Sequence, residues 1–308
     1  MNFREMRARL IGSYGPFVFF PEDPEVPKLI ETKAFTHLVI DEDIKVYAHP
    51  TMKEDLEEIE ENYEIIFDTP HLQGEYYVSP YAKLHNLNFK YRNGGEILKK
   101  AMRKPFPEEI KILVSLGEKI QSSMGKFFRE VKFGMKEGDM KSSLECIMLE
   151  NGIENFLYPT IVASGEETLK VFPRMKNEKI KEGEIIYIDS FPMFQGYYLN
   201  FSRVIFTEER AEWISALKKI NGMYAKLSTI VKSGVSCNFI DSIVREIGEF
   251  PHYSVVPASG FYMPYAPGSC ILEENMVFTV VPSIYLEKGV IRVKRNILVE
   301  KNAMKFLD

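Results

Sequence analysis

Between residues 107 and 308 the sequence runs twice through the same order of elements: a long amphipathic helix, a short one, then two β-prone strands. In the first pass Ile110, Leu113, Val114, Gly117, Ile120, Met124, Phe127, Phe128 and Val131 recur at helical spacing, with Pro107 and two acids at the start and Gly134 as the stop. A second helix is predicted over 139–151, with Met140, Leu144, Ile147 and Met148 on one face and Gly152 ending it. In the second pass Trp213, Leu217, Ile220, Tyr224, Leu227 and Val231 form the long stripe. Phe239, Ile240, Ile243, Val244 and Ile247 form the short one. Strands are predicted at 276–286 and 290–299. Two such halves, duplicated in architecture though not in obvious sequence, pack as one curved sheet under helices and leave a cleft between them.

Upstream, short β-prone runs at 17–20, 36–40, 45–49, 65–67 and 75–78 alternate with charged helical pieces, one of them an acidic helix over 52–61. This predicts a small α/β domain. The RKPFP segment at 103–107 places two prolines just before the long periodic pattern, so the chain divides into 1–104 and 105–308. With 308 residues, 45% of them hydrophobic, there is enough apolar material for both cores.

The net charge of −5 comes from interspersed acids and bases, with no long basic stripe, which argues against a nucleic-acid partner. The locally basic run at 90–104 reads as a solvated helix face and linker. The opening MNFREMRARL lacks the apolar core of a signal peptide, and no apolar run is long enough to span a bilayer. A cytoplasmic protein without a membrane partner is expected. Cys146, Cys237 and Cys270 are far apart and outside any CxxC spacing, so each is expected to be a buried small residue and not part of a disulfide or zinc site.

The segment EIIYIDSFPMFQGYYLNFSRVIFT, 184–207, reads as a hairpin: Ile185 to Ile188 lead to Asp189, turn chemistry covers 192–196, and the chain returns over 197–206. Asp189 and Asn200 therefore sit on neighbouring strands. A pair of divalent metal ions about 3.5 to 4 Å apart needs several carboxylates around it. An Asn carbonyl can coordinate but brings no charge.

This hairpin, with LENGIENFLYPTIVASGEET before it and LEENMVFTVVPSIYLEKGVIRV after it, resembles the creatinase, prolidase and Xaa-Pro aminopeptidase family of M24-like, pita-bread proteins. Gly183-Glu184, Ile188-Asp189, Gly196-Tyr197 and Ser202-Arg203 all fall at that family's spacing. The resemblance implies an α/β (α+β) chain with a C-terminal pita-bread domain of pseudo-two-fold symmetry, preceded by a creatinase-like N-terminal domain. It also implies a homodimer.

Active members of the family hold two metal ions with two Asp, one His and two Glu. The resemblance assigns these positions to Asp189, Asn200, Val256 or Pro257, Val281 and Lys294, so four of five ligands depart from the pattern and no metal or other cofactor is expected. Histidines that face substrate in the family fall near Phe172 and Pro264, and neither is a histidine; the family Arg is kept as Arg292. The expected role is an inactive homologue that binds a peptide or protein segment. Related pita-bread domains without peptidase activity occur in a histone-chaperone subunit. Two alternatives stay open: a metal-dependent Xaa-Pro dipeptidase or aminopeptidase, and a metal-free, creatinase-like hydrolase using His252, the one histidine of the C-terminal domain. Cleft candidates are Asp189, Asn200, Arg292, Lys294, Phe172, Tyr197, Tyr262, Tyr265 and Tyr285, with FYMPYAPG at 261–268 as a recognition loop. Lys294 either pairs with Asp189, standing in for the metals, or snorkels to solvent from a strand end.

Overall fold

The computed structural model describes residues 2–308 except 60, 61, 69, 71, 73, 81–87, 132, 133 and 262–269. The chain forms two compact units, Met1–Arg103 and Lys104–Asp308.

In the first unit β1 (Phe17–Phe19), β2 (His37–Ile40), β3 (Ile44–Tyr47), β4 (Glu64–Ile66), β5 (Glu75–Val78) and β6 (Lys90–Asn93) form one mixed sheet in the order β4-β3-β2-β1-β5-β6. Val18, Phe20, Val39 and Val78 pack together on it. Helix α1 (Phe3–Gly12) starts at Asn2, whose side chain accepts from the Glu5 amide at 2.8 Å, and it buries Ala8 and Ile11. The acidic helix predicted over 52–61 is a single α turn, α2 (Lys53–Leu56), between 3₁₀ turns at Pro50–Met52 and Glu57–Ile59. Leu56 is the buried anchor of that turn, and one apolar anchor does not sustain a longer helix in water. Helix α3 (Gly95–Ala101) closes the unit.

The second unit carries α4 (Pro107–Glu130), α5 (Glu137–Glu150), α6 (Ala211–Ile230) and α7 (Cys237–Arg245). Pro107 opens α4, and the Glu109 carboxylate accepts from the Phe106 amide in capping-box fashion. Its buried stripe includes Leu113, Leu116, Gly117, Ile120, Met124 and Phe127. Phe128 and Phe239, predicted on buried faces, are instead 48% and 50% exposed. Each adjoins a residue that fills the contact, Phe127 and Ile240, and neighbours on a helix point about 100° apart. Cys146 likewise lies exposed on the outer face of α5, whereas Cys237 and Cys270 are buried. No described helix is long and apolar enough to cross a membrane.

Strands in this unit are β7 (Asn155–Phe156), β8 (Ile161–Ser164), β9 (Ile185–Ser190), β10 (Pro192–Phe194), β11 (Tyr197–Tyr198), β12 (Phe201–Phe206), β13 (Val255–Pro257), β14 (Val277–Val280), β15 (Ser283–Leu286), β16 (Gly289–Arg292), β17 (Arg295–Val299) and β18 (Met304–Phe306). They form ladders β12-β9-β8, β11-β10-β7, β13-β14-β17-β18 and β15-β16. The runs expected as single strands are therefore broken, at Leu199–Asn200, Val281–Pro282 and Val293–Lys294. Pro282 cannot donate to a ladder, which accounts for one break. The Tyr224 hydroxyl, on α6, lies 3.1 Å from the Val280 carbonyl and 2.6 Å from the Val293 carbonyl and so ties two of the breaks together. The hairpin turn is shorter than expected: 192–194 is strand, and Gln195 and Gly196 alone turn the chain, both with positive φ.

Candidate functional site

Tyr187 and Asp189 are two residues apart on β9 and so project from the same face of the sheet. Ser202 of β12 lies directly across from Asp189. The Ser202 hydroxyl donates to the Arg292 carbonyl at 3.1 Å and accepts from the Lys294 amide at 2.9 Å, which stitches the break after β16 to this strand pair. Lys294 is thereby turned inward. Its ammonium donates to both carboxylate oxygens of Asp189, at 2.7 and 2.8 Å, and lies 5.3 Å from the centre of the Phe191 ring. Burial lowers the Lys294 pKa, but the Asp189 charge and hydrogen bonding outweigh it, so the ammonium is held above its ordinary value.

Asn200 occupies the break before β12 and is positioned by Asn296. Its amide donates to Asn296 Oδ1 at 3.3 Å, and Asn296 Nδ2 donates back to the Asn200 carbonyl at 3.0 Å. The Thr279 hydroxyl fixes the Asn296 amide by donating to Oδ1 at 2.8 Å. With its backbone satisfied in this way, Asn200 Oδ1 is buried without a hydrogen-bond partner among the described residues, and the buried Tyr187 side chain lies against the Arg292 guanidinium. Burial raises the Tyr187 pKa, and the Asp189 charge adds to that effect.

Next to this pair stands a second cluster. Arg292 donates through Nε to the Ser283 hydroxyl at 2.9 Å, through Nη1 to the Val171 carbonyl at 3.2 Å, and through Nη2 to the Tyr285 hydroxyl at 2.9 Å. Its guanidinium carbon lies 5.3 Å from the Tyr187 ring centre. The Ser283 hydroxyl is also 2.8 Å from His252 Nε2, and His252 Nδ1 is 2.9 Å from the Tyr253 carbonyl. Because the Tyr253 carbonyl can only accept, Nδ1 carries the proton of the neutral imidazole, and Nε2 accepts from the Ser283 hydroxyl. Burial, reinforced by the Arg292, Lys294 and Arg245 charges, pulls the His252 pKa down to about 4 against the Tyr253 bond. The ring is neutral at pH 7.

The remaining predicted positions behave differently. Tyr197 is fully buried, donates to Glu109 at 2.8 Å and stacks on Phe261 at 6.1 Å, so it fastens β11 to α4 and does not line the cleft. Phe172, 85% exposed, follows the Val171 carbonyl held by Arg292. Tyr262 and Tyr265, with the rest of 262–269, lie outside the described residues. Val256 pairs with Thr279 in the β13–β14 ladder, and Val281 is buried. Among the described residues no group of three or more His, Cys, Asp or Glu side chains converges. Tyr187, Ser202, Ser283 and Asn296 belong to the site without having been predicted. Ser283 had a readable signal, since it stands where the resembled family writes the glycine of Pro-Gly-Ile-Tyr.

The sequence profile of metallopeptidase family M24 matches residues 91–301, more than half of the chain. The chain belongs to this family. Among relatives, the Xaa-Pro dipeptidase of Pyrococcus horikoshii is 28% identical over 213 residues, 65% of this chain and 61% of that protein. The Xaa-Pro dipeptidase of Pyrococcus furiosus is 25% identical over 266 residues, 80% of this chain and 76% of that protein. The match to the first relative thus spans less than two thirds of its length. Among solved structures, the Thermococcus sibiricus prolidase superposes with a TM-score of 0.85 at 18% identity, covering 100% of this chain and 97% of that one. The Pyrococcus horikoshii prolidase gives 0.83 at 21%, covering 98% and 97%. This M24 member therefore has the prolidase, pita-bread fold.

Proposed function

We propose that this M24 member is a non-catalytic relative of the Xaa-Pro dipeptidases that holds a peptide or protein segment in its cleft without a metal centre. The observation that carries the reading is the Lys294 ammonium on both oxygens of Asp189. A divalent ion at Asp189 would have to displace that ammonium and then sit beside it, adding like charge where a dinuclear site needs negative charge. Asn200 supplies a neutral oxygen, and Val256 and Val281 supply no donor. These residues do not fit two hydrolytic metal ions.

Hydrolysis driven by His252 is the weaker reading. Both ring nitrogens are engaged, by Ser283 and Tyr253, and a pKa of about 4 makes the imidazole a poor base at neutral pH. The aromatic wall beside the ion pair suits binding: Tyr158, 59% exposed, meets Phe191 edge-on at 5.3 Å, and Phe191 lies 6.4 Å from Tyr198. The same reading takes the homodimer that the family resemblance implies and the cytoplasmic location expected from the sequence. The test is to load the protein with manganese, cobalt or zinc, measure bound metal by elemental analysis, and assay a panel of Xaa-Pro dipeptides. Neither stoichiometric metal nor turnover is expected; turnover abolished by Asp189→Ala would overturn the reading.

A further inference from the structure

Cys237 and Cys270 are far apart in the sequence and were expected to be separate, yet the fold sets them opposite each other. The residues that lead into α7 and those that lead towards β14 run antiparallel as a short ladder. Ser236 bridges Ile271, the Leu272 amide donates to the Val235 carbonyl at 2.8 Å, and the Cys237 amide donates to the Cys270 carbonyl at 2.8 Å. A hydrogen-bonded antiparallel rung holds its two Cα atoms about 5.5 Å apart, with both side chains on one face. A disulfide spans Cα separations of about 4.4 to 6.8 Å. Both cysteines are buried, at 0% and 3% exposure, and their side chains enter one apolar cluster with Ile240, Val244 and Leu272. Ser236 fixes the helix side of the rung, since its hydroxyl caps α7 by accepting from the Phe239 amide at 3.2 Å. Cys146, exposed on α5, takes no part.

From this rung we infer that Cys237 and Cys270 form a redox-sensitive pair, which a small peroxide converts to a disulfide between the start of α7 and the segment 270–272. Cys270 precedes Ile271, which is 53% exposed, so it lies just beneath the surface and meets the oxidant first. Its sulfur attacks one peroxide oxygen, the O–O bond breaks, and water leaves a sulfenic acid behind. The Cys237 sulfur then attacks the Cys270 sulfur, the S–O bond breaks, and a second water leaves as the S–S bond forms. In all, the two thiols lose two protons and two electrons, and hydrogen peroxide is reduced to two waters. The Cβ atoms of an opposite pair are about 4.5 to 5.5 Å apart, and a disulfide draws them to about 3.8 Å. Closing therefore pulls the two backbones together, and a thiol reductant reopens the bridge. In a reducing compartment the dithiol prevails and the disulfide is transient.

The test treats the folded full chain, carrying Cys146→Ser to remove the exposed thiol, with hydrogen peroxide. Thiols are then counted in denaturant, and a non-reducing digest is searched by mass spectrometry for a linked peptide. Loss of both remaining thiols is expected, with a Cys237–Cys270 peptide in the digest, and dithiothreitol should restore the thiols and remove that peptide. The parent chain, treated in the same way, should give the same linked peptide and none that contains Cys146. In denaturant the parent chain should lose this selectivity, and peptides linking Cys146 to either partner should appear. No buried residue is replaced, so the outcome does not depend on a variant that fails to fold. Thiols consumed in the folded chain without a linked peptide, or both thiols retained under peroxide that oxidises the denatured chain, would overturn the inference.

Discussion

The Lys294 ammonium lies 2.7 and 2.8 Å from the two carboxylate oxygens of Asp189, although 105 residues separate them in the chain. Ser202 brings the two within reach of each other, because its hydroxyl holds the Lys294 backbone and it lies directly across from Asp189 in the strand pair. The pair is nearly enclosed, with side chains 9% and 12% exposed. In such surroundings the loss of one partner costs far more than the pair itself contributes.

Lys294→Met should therefore destabilise the second unit by about 3 to 5 kcal/mol in denaturant unfolding, since it leaves the Asp189 carboxylate without its partner. Adding Asp189→Asn should restore much of the loss. Additive losses in the double variant would mean that the two side chains do not act as a pair.

The Tyr224 hydroxyl serves two carbonyls at once, those of Val280 and Val293, at the breaks that set Val281 and Lys294. Tyr224→Phe keeps the ring and removes the donor, and should cost about 1 to 3 kcal/mol in thermal or chemical unfolding.

His252 has a folded-state pKa of about 4, below its ordinary 6.5. The unfolded chain therefore binds the proton first. Stability contributed by the neutral ring is complete above pH 6.5, falls as pH drops, and levels off below about 4. His252→Gln should flatten the unfolding free energy over that window relative to the parent; an unchanged slope would contradict the assignment.

Two glycines of α4 should respond in opposite directions. A Cβ at Gly117 would overlap the Leu307 carbonyl oxygen, whereas at Gly125 it meets nothing within 4 Å. Gly117→Ala should destabilise by about 1 to 3 kcal/mol or more. Gly125→Ala should stabilise by about 0.4 to 1 kcal/mol. The paired melting curves check both.

Much of this was legible in the residues because helix stripes and strand alternation are local signals. Asp189, Asn200, Arg292 and Lys294 could be brought to one site because the resemblance fixed their spacing. What escaped were the strand breaks. A β-prone run continues through Val281 and Val293, and what interrupts it is a proline and a tyrosine hydroxyl from α6, a contact no local pattern encodes. Tyr187 was legible only as part of the strand that leads to Asp189; the Arg292 guanidinium against its ring is a contact no local pattern encodes. Phe128 and Phe239 look apolar enough for a core stripe, yet the helix presents a neighbour instead.

The claim that Lys294 stands where a metal would be is tested most directly by elemental analysis of the protein equilibrated with manganese, cobalt or zinc, alongside Lys294→Glu with Asn200→Asp. No stoichiometric metal is expected on the parent chain, and metal uptake is expected only in the variant that replaces the ammonium with carboxylates. One or two equivalents on the parent, lost in Asp189→Ala, would contradict it.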